Sequence, residues 1–214
     1  MEQIQGLKSG TTTVGLICRD SVILAAEKRS LLGSMVASEE EVKIVEIMPH
    51  IAMTHAGVCG DLQALTRYMR AEAKLFELKN KRKISVKAAA TLLANILYGR
   101  RSTFFPYLVQ IIMGGFDDGP KLFILHSDGS TIEEKKFFAT GSGSPMAFGV
   151  LETLFREGIS TEEGKRIALK AVKAATERDT ASGGRGIDLA IIDKTGFKLL
   201  EKEEVERILQ SLKK

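Results

Sequence analysis

The sequence predicts a single α+β domain in which two stacked antiparallel sheets lie between outer layers of helices. This prediction depends on the order of the elements, because two blocks of strands alternate with two pairs of helices before a last pair of strands and one terminal helix. Sheets stacked in this way need helices to cover their outer faces. No linker and no low-complexity tract interrupts the 214 residues, so one domain is expected.

The first half of the chain contains four predicted strands followed by two helices. Runs of alternating or continuous apolar residues predict the strands, and Pro49 marks one of the turns between them. Apolar residues at helical spacing predict a long helix over 60–79. Ser85 is a predicted N-cap for a second helix, which continues to Arg101. The predicted strands cover 12–19, 22–28, 43–48 and 51–55.

The second half repeats this order. Asp128-Gly129 is a hairpin signal between two predicted strands, and 115–119 is a predicted turn. Ser160 and Glu163 fit a capping box at the start of a helix. The predicted strands cover 107–114, 121–126, 131–139, 187–193 and 196–200. The predicted helices cover 145–157, 161–176 and 203–213.

Composition excludes several classes of function. The net charge of +4 comes from lysines and arginines spread among glutamates, and the one dense basic run, 79–83, is expected at a helix end, which argues against nucleic-acid binding. No apolar run is long enough for a membrane span. Cys18 and Cys59 form no disulfide framework and the three histidines have no ligand spacing, so we expect a metal-free, cytoplasmic protein with Cys18 buried in a strand.

A Gly10-Thr11 bond directly precedes the first predicted strand. If this bond is cut, Thr11 becomes a new N-terminus whose hydroxyl lies beside its own free amine, which is one way to activate a hydroxyl without a Ser-His-Asp triad. Residues 1–10 lack the apolar segment of a secretory signal. They are expected to be a pro-segment that the protein removes itself, and the alternative is an ordinary frayed terminus.

Five short motifs together carry a resemblance that covers nearly the whole chain from Thr11 onward. The chain resembles the archaeal type of proteasome β subunit, a member of the N-terminal nucleophile hydrolases. That resemblance implies the four-layer αββα sandwich of the Ntn-hydrolase fold, with 11–214 as one catalytic domain. The motifs are Gly-Thr-Thr-Thr-Val-Gly at 10–15, Val42-Lys43-Ile44, Ala56-Gly57, Gly141-Ser142-Gly143 and Arg-Asp-Thr-Ala-Ser-Gly-Gly at 178–184.

By this resemblance Thr11 is the nucleophile, and Lys43 and Glu27 assist it. A free α-amine, with an ordinary pKa of about 7.7–8.0, suits the removal of the hydroxyl proton. Lys43 lies in an otherwise apolar predicted strand, where the alternative is an edge lysine with its head in water. A buried ammonium beside Thr11 favours negative charge on the hydroxyl oxygen, and Glu27 is its expected partner. The family commonly has aspartate at the position of Glu27.

Four further residues complete the implied site. Asp179 and Ser182 hold the new N-terminus and the hydroxyl in register, and Ser142 joins them. The backbone N–H of Gly57 is the implied oxyanion donor, where glycine permits close approach of the substrate. A Gly-Ser-Gly loop could instead cradle phosphate, but the lysine of a phosphate-binding loop does not follow it, so nucleotide binding is rejected.

The resemblance also implies a pocket for the side chain that precedes the cut bond. Val45 and Cys59 form a mainly apolar base, so hydrophobic side chains are expected there. His55 is expected at the wall, and the alternative is a satisfied surface histidine. Leu31 stands where the family usually has threonine, at a position whose main chain binds substrate. The implied pocket residues are Ser30, Leu31, Glu41, Val45, His55 and Cys59.

The expected function is endopeptidase hydrolysis of unfolded polypeptides with no metal or organic cofactor. The implied assembly has four stacked seven-membered rings, with α subunits outside two rings of β subunits, and an ATPase activator acts through the α rings. One alternative is the simpler bacterial two-component protease, whose subunits are shorter. Another is a structural β subunit that is never processed and has little activity of its own.

Overall fold

A computed structural model describes residues 10–212 of the chain. The strands are β1 Thr13–Ile17, β2 Ser21–Glu27, β3 Ser30–Leu32, β4 Met35–Ser38, β5 Ile44–Met48, β6 Ile51–Gly57, β7 Val109–Phe116, β8 Pro120–His126, β9 Thr131–Glu134, β10 Phe137–Thr140, β11 Ile187–Asp193 and β12 Gly196–Leu199. The helices are α1 Cys59–Asn80, α2 Val86–Arg100, α3 Ser144–Leu154, α4 Thr161–Arg178 and α5 Lys202–Ser211.

Two five-stranded antiparallel sheets stack face to face, as the sequence predicts. Sheet I has the strand order β10-β1-β2-β11-β12, and sheet II has the order β5-β6-β7-β8-β9. Helices α1 and α2 cover sheet II, and α3 and α4 cover sheet I. A separate apolar cluster lies between the sheets and contains Leu24 and Ile112, both fully buried. The predicted α+β, four-layer αββα arrangement is confirmed.

The prediction of one strand over 131–139 is wrong. The chain forms β9 at the edge of sheet II and then crosses to pair β10 with β1 in sheet I. Lys135 and Lys136 lie at the crossing, and burial changes from Ile132, which is 48% exposed, to Phe137, which is 9% exposed. No glycine, proline, asparagine or aspartate within 131–139 marks a break in the sequence, so one predicted strand covers two.

Other boundaries also differ from the predictions. The hairpin of β3 and β4 was not predicted, because its two strands are short and half-exposed. The predicted turn over 115–119 starts too early, since β7 extends through Phe116. Helix α3 ends at Leu154 and not at 157. The end of the last predicted helix, residue 213, lies outside the described residues.

Three buried threonines tie the start of β1 to both sheets. The hydroxyl of Thr13 lies 2.8 Å from that of Thr54 on β6 and 2.7 Å from that of Thr140 on β10. Thr13 and Thr54 are fully buried. These bonds place the residues that precede β1 over the end of the sandwich.

No helix within residues 10–212 is both long and apolar enough to cross a lipid bilayer.

Candidate active site

Thr11 lies buried at the entrance to β1, with only 3% of its surface exposed. Its Oγ1 accepts a hydrogen bond of 2.9 Å from Nζ of Lys43. The same hydroxyl donates to the carbonyl oxygen of Gly10 at 2.6 Å. The hydroxyl of Thr11 is therefore held between an ammonium group and the carbonyl of the residue before it.

Lys43 is as deeply buried as Thr11, immediately before β5. Its ammonium group donates to Oε1 of Glu27 and, at 2.5 Å, to the carbonyl oxygen of Arg29. Together with Thr11, these acceptors use all three of its donors. Burial lowers the pKa of Lys43 below its ordinary value, and the negative charge of Glu27 acts in the opposite direction. The expected alternative, a lysine head in water, does not fit this burial.

Glu27 is fully buried at the end of β2. Its Oε1 accepts from Lys43 and, at 3.2 Å, from the backbone N–H of Thr12. Its Oε2 accepts from the backbone N–H groups of Arg29 and Gly183, each at 2.8 Å. Four donors satisfy this buried carboxylate, which fixes its orientation toward the lysine.

A second polar network lies on the other side of Thr11. Oδ2 of Asp179, at the end of α4, accepts from the hydroxyls of Ser142 at 2.5 Å and Ser182 at 2.6 Å. The Ser142 oxygen accepts from the backbone N–H of Thr11 at 3.2 Å. Ser182 also lies 2.7 Å from the hydroxyl of Thr12. The predicted residues Ser142, Asp179 and Ser182 therefore form one cluster, in which Ser142 contacts the Thr11 nitrogen and Ser182 contacts the Thr12 hydroxyl.

Sequence reasoning missed two residues of this site, Thr12 and Arg29. Thr12 is fully buried, and it contacts Glu27 through its N–H and Ser182 through its hydroxyl. Gly143 makes room for it, because a Cβ at 143 would lie 2.1 Å from the Thr12 hydroxyl oxygen. The sequence points to Thr12 through the Thr-Thr-Thr run. It points to Arg29 only through its position two residues after Glu27.

Gly57 ends β6 with a φ of +138°, a conformation that favours glycine. A Cβ at this position would lie 2.1 Å from the carbonyl oxygen of Leu108. The backbone here therefore needs glycine for two reasons, its dihedral angle and its close approach to the neighbouring strand. Its role as the oxyanion donor stays a prediction.

A cavity of about 460 Å³ is lined by the segment just before β5, by residues of β5 and β6, and by α1. Three of the six predicted pocket residues line it, namely Glu41, Val45 and His55. Its far wall on α1 carries Gln63 and Arg67, which sequence reasoning missed. The cavity is therefore more polar than the predicted apolar base.

The other three predicted pocket residues lie outside the lining of this cavity. Ser30 is buried and Leu31 half-buried, both on β3, and Cys59 begins α1 half-buried. His55 is 7% exposed, so it is not a surface histidine. Burial, with the Lys43 charge as a second cause, lowers the pKa of His55 to about 4, so its ring is neutral at pH 7. Within residues 10–212, no cluster of His, Cys, Asp or Glu could hold a metal ion.

Comparison with known proteins gives one family and many relatives. The family model described as "Proteasome subunit" matches residues 7–192. The chain is 54% identical over 206 residues to "Proteasome subunit beta" of Methanocaldococcus jannaschii, covering 95% of this chain and 91% of that protein. It is 47% identical to the protein of the same name from Methanohalophilus mahii, covering 95% and 96%. It is 45% identical to "Proteasome subunit beta 1" of Thermococcus kodakarensis, covering 94% and 97%.

Proposed function

The chain belongs to the proteasome subunit family, and from this premise we propose that it is a β subunit that cleaves unfolded polypeptides with Thr11 as its nucleophile. The observation that carries the proposal is the 2.9 Å contact between the Lys43 ammonium and the Thr11 hydroxyl, at a site where Glu27 is fully buried. A buried ammonium with all donors used on one carboxylate, one carbonyl and one hydroxyl is costly to maintain for stability alone. Stabilisation of a developing alkoxide explains why the hydroxyl is one of its three partners.

Peptide hydrolysis would proceed in two steps after the N-terminus is freed. In the first step the α-amine takes the proton of the Thr11 hydroxyl, and the oxygen attacks the substrate carbonyl. The amine then returns the proton to the leaving nitrogen, which leaves an ester on Thr11. In the second step water attacks this ester and the same amine takes a proton of the water. The amine then returns this proton to the Thr11 oxygen, which re-forms the hydroxyl as the carboxylic acid product leaves.

The surrounding residues would supply orientation and charge. Ser142 accepts from the Thr11 nitrogen and Asp179 holds Ser142, so together they would keep the amine close to the hydroxyl. Lys43 would stabilise negative charge on the hydroxyl oxygen. The N–H of Gly57 would donate to the oxygen of the tetrahedral intermediate, as in other acyl-transfer sites that use backbone donors.

We propose that the same hydroxyl also removes the pro-segment. Thr11 donates to the Gly10 carbonyl at 2.6 Å, and Lys43 contacts the attacking oxygen. Attack on the Gly10 carbonyl carbon would break the Gly10–Thr11 amide and form an ester, releasing the amine. Water would then open the ester and release residues 1–10. Because the nitrogen is still an amide during this step, a bound water, or Lys43 after it has lost one proton, must take the hydroxyl proton and deliver it to the departing nitrogen.

Processing gives the first test of this function. We expect active particles to begin at Thr11 by N-terminal sequencing and intact mass, and to hydrolyse fluorogenic peptides. Particles made from Thr11→Ala chains alone should keep the pro-segment. Turnover by particles that still begin at Met1 would overturn the threonine mechanism. Unprocessed particles without turnover would instead favour the alternative of a structural β subunit.

Crowding at Gly10 should slow the same cleavage. A Cβ at Gly10 would lie 1.7 Å from Cβ of Ala181, so Gly10→Val must move the bond away from the Thr11 hydroxyl. The matched comparison uses the smaller side chain of Gly10→Ala. Adding Ala181→Gly removes the Cβ of residue 181, which is the atom that the new Cβ at residue 10 would meet. The double variant should be processed faster than Gly10→Ala alone.

The remaining proposals concern assembly and location. Proteasome family membership supports assembly with other subunits, and we propose the arrangement of four seven-membered rings with α subunits and an ATPase activator. Closing the sites inside a chamber before Thr11 is freed would protect other proteins from cleavage. A cytoplasmic location remains a prediction.

Substrate preference should depend on the cavity that His55 lines. We expect wild-type particles to prefer Leu over Arg or Glu before the cut bond, because the buried His55 ring is neutral and Val45 is apolar. The lining also holds Glu41 and Arg67, so a charged substrate side chain of either sign meets a like charge there. His55→Gly should change this order by enlarging the cavity. Measurement of kcat/KM for three matched peptides tests the prediction, with His126→Gly, outside the cavity lining, as control. An unchanged profile in His55→Gly would remove His55 from the pocket.

A further inference from the structure

We propose that the guanidinium group of Arg29 is a positioning group for the peptidase reaction. It would hold the loop of residues 179–184, here called the Asp179 loop, against the Glu27 and Lys43 pair. This inference rests on the proposed function and adds a residue to it. Two sets of contacts support it, one from the main chain of Arg29 and the other from its side chain.

The main chain of Arg29 contacts Lys43 and Glu27, here called the lysine side of the site. Its carbonyl oxygen accepts from Lys43 at 2.5 Å, and its N–H donates to Oε2 of Glu27 at 2.8 Å. The same N–H lies 3.0 Å from the carbonyl oxygen of Gly183. The backbone at residue 29 is thus hydrogen-bonded to both members of the charged pair next to the Thr11 hydroxyl.

The side chain of Arg29 contacts the Asp179 loop, which lies on the side of the site that holds the Thr11 nitrogen. Its Nη1 donates to the carbonyl oxygen of Thr180 at 2.9 Å. The guanidinium plane also packs on Gly183, where an added Cβ would lie 2.6 Å from Cζ of Arg29. Within residues 10–212 Arg29 has no carboxylate at ion-pair distance. Its contacts therefore serve the Asp179 loop and not a salt bridge.

The Arg29 side chain adds a further contact between the lysine side and the Asp179 loop, beside the bond from the Gly183 N–H to Glu27 and the bond between the hydroxyls of Thr12 and Ser182. Lys43 sets the position of the Thr11 hydroxyl, whereas Asp179 sets the Thr11 nitrogen through Ser142. The two must stay in register, because the amine has to reach the proton of the hydroxyl. A misplacement of about 1 Å at a reacting group can cost about 10²-fold in rate.

The test compares Arg29→Met, Arg29→Gln and Arg29→Lys with Arg185→Met. Arg185 follows the same loop but pairs with Glu39 at the exposed surface, so its variant controls for loss of a local arginine. We expect Arg29→Met to lower kcat by about 10-fold to 10²-fold with KM changed less than about twofold. Arg29→Lys should recover part of the loss, since one N–H can still reach Thr180 but no plane packs on Gly183.

Native mass and thermal midpoint are measured on every variant. If Arg29→Met fails to assemble, Arg29→Gln and Arg29→Lys decide the question, because both keep an N–H donor. A kcat at the wild-type level in all assembled Arg29 variants would overturn the inference, and so would an equal loss in Arg185→Met. Thr11→Ala is assayed in parallel. Turnover by Thr11→Ala would show that the proposed function is wrong. If Thr11→Ala is inactive and Arg29→Met is fully active, only the positioning role of Arg29 is wrong.

Discussion

Replacement of Thr11 by alanine is expected to reduce peptide turnover to background, a loss on the order of 10⁴-fold or more. Alanine has no hydroxyl to attack the substrate, and the ammonium of Lys43 then loses one of its three acceptors. Ring assembly should remain nearly intact, because Thr11 lies at the end of the sandwich and outside its three apolar clusters. Fluorogenic-peptide assays on particles of verified native mass measure the effect.

Thr11→Ser is the matched control for this prediction. Serine keeps the hydroxyl, the contact with Lys43 and the free amine after processing, so it should retain measurable turnover. It loses only the methyl group of threonine. Wild-type turnover in Thr11→Ala particles that contain no other active subunit would show that Thr11 is not the nucleophile.

Replacement of Lys43 by alanine is expected to abolish measurable turnover, with a loss on the order of 10³-fold. Lys43→Arg should not restore it, because the planar guanidinium cannot direct one compact charge to the Thr11 hydroxyl, the Glu27 carboxylate and the Arg29 carbonyl together. Glu27→Ala should also cut turnover severely. It leaves the Lys43 ammonium buried without its charge partner, which costs about 3–5 kcal/mol or drives the group neutral.

Lys28→Ala is the matched control for the lysine variants. Lys28 pairs with Asp188 at 3.1 Å near the same strand end, but its side chain is 22% exposed and contacts none of the residues around Thr11. Its loss should leave kcat near the wild-type value. An active Lys43→Arg enzyme would contradict the proposed role of the lysine, and thermal melting of each variant separates lost chemistry from lost stability.

The interior elements were predictable because their patterns are local. Helices α1, α2 and α4 follow from apolar spacing and from caps such as Ser85 and Ser160, both of which accept the expected backbone N–H. The buried thiol of Cys18, 1% exposed, follows from strand alternation. By contrast, β3 and β4 were missed, since short half-exposed strands lack a pattern that differs from loop.

The α+β class, the order of most elements and the types of residue available for chemistry can be read from the sequence, whereas the β3 and β4 hairpin and the break at Lys135 cannot. Thr11 after glycine, a lysine in an apolar segment and a glutamate at a strand end are all visible without coordinates. Only the tertiary structure decided which of them touch. Lys43 reaches Thr11 across 32 positions of sequence, and Gly183 reaches Glu27 across 156. Such contacts depend on how strands pair and sheets stack, which a local pattern does not encode.

The same reason explains the split of residues 131–139 between two sheets and the role of Arg29. Residues 131–139 contain no glycine, proline, asparagine or aspartate that would mark a break at Lys135, so the change of partner strand becomes visible only in how the two sheets pair. Arg29 looks like an ordinary surface arginine in sequence. Its contacts with Thr180 and Gly183 appear only when the end of α4 is brought beside the end of β2, which depends on how the layers pack and not on the sequence around residue 29.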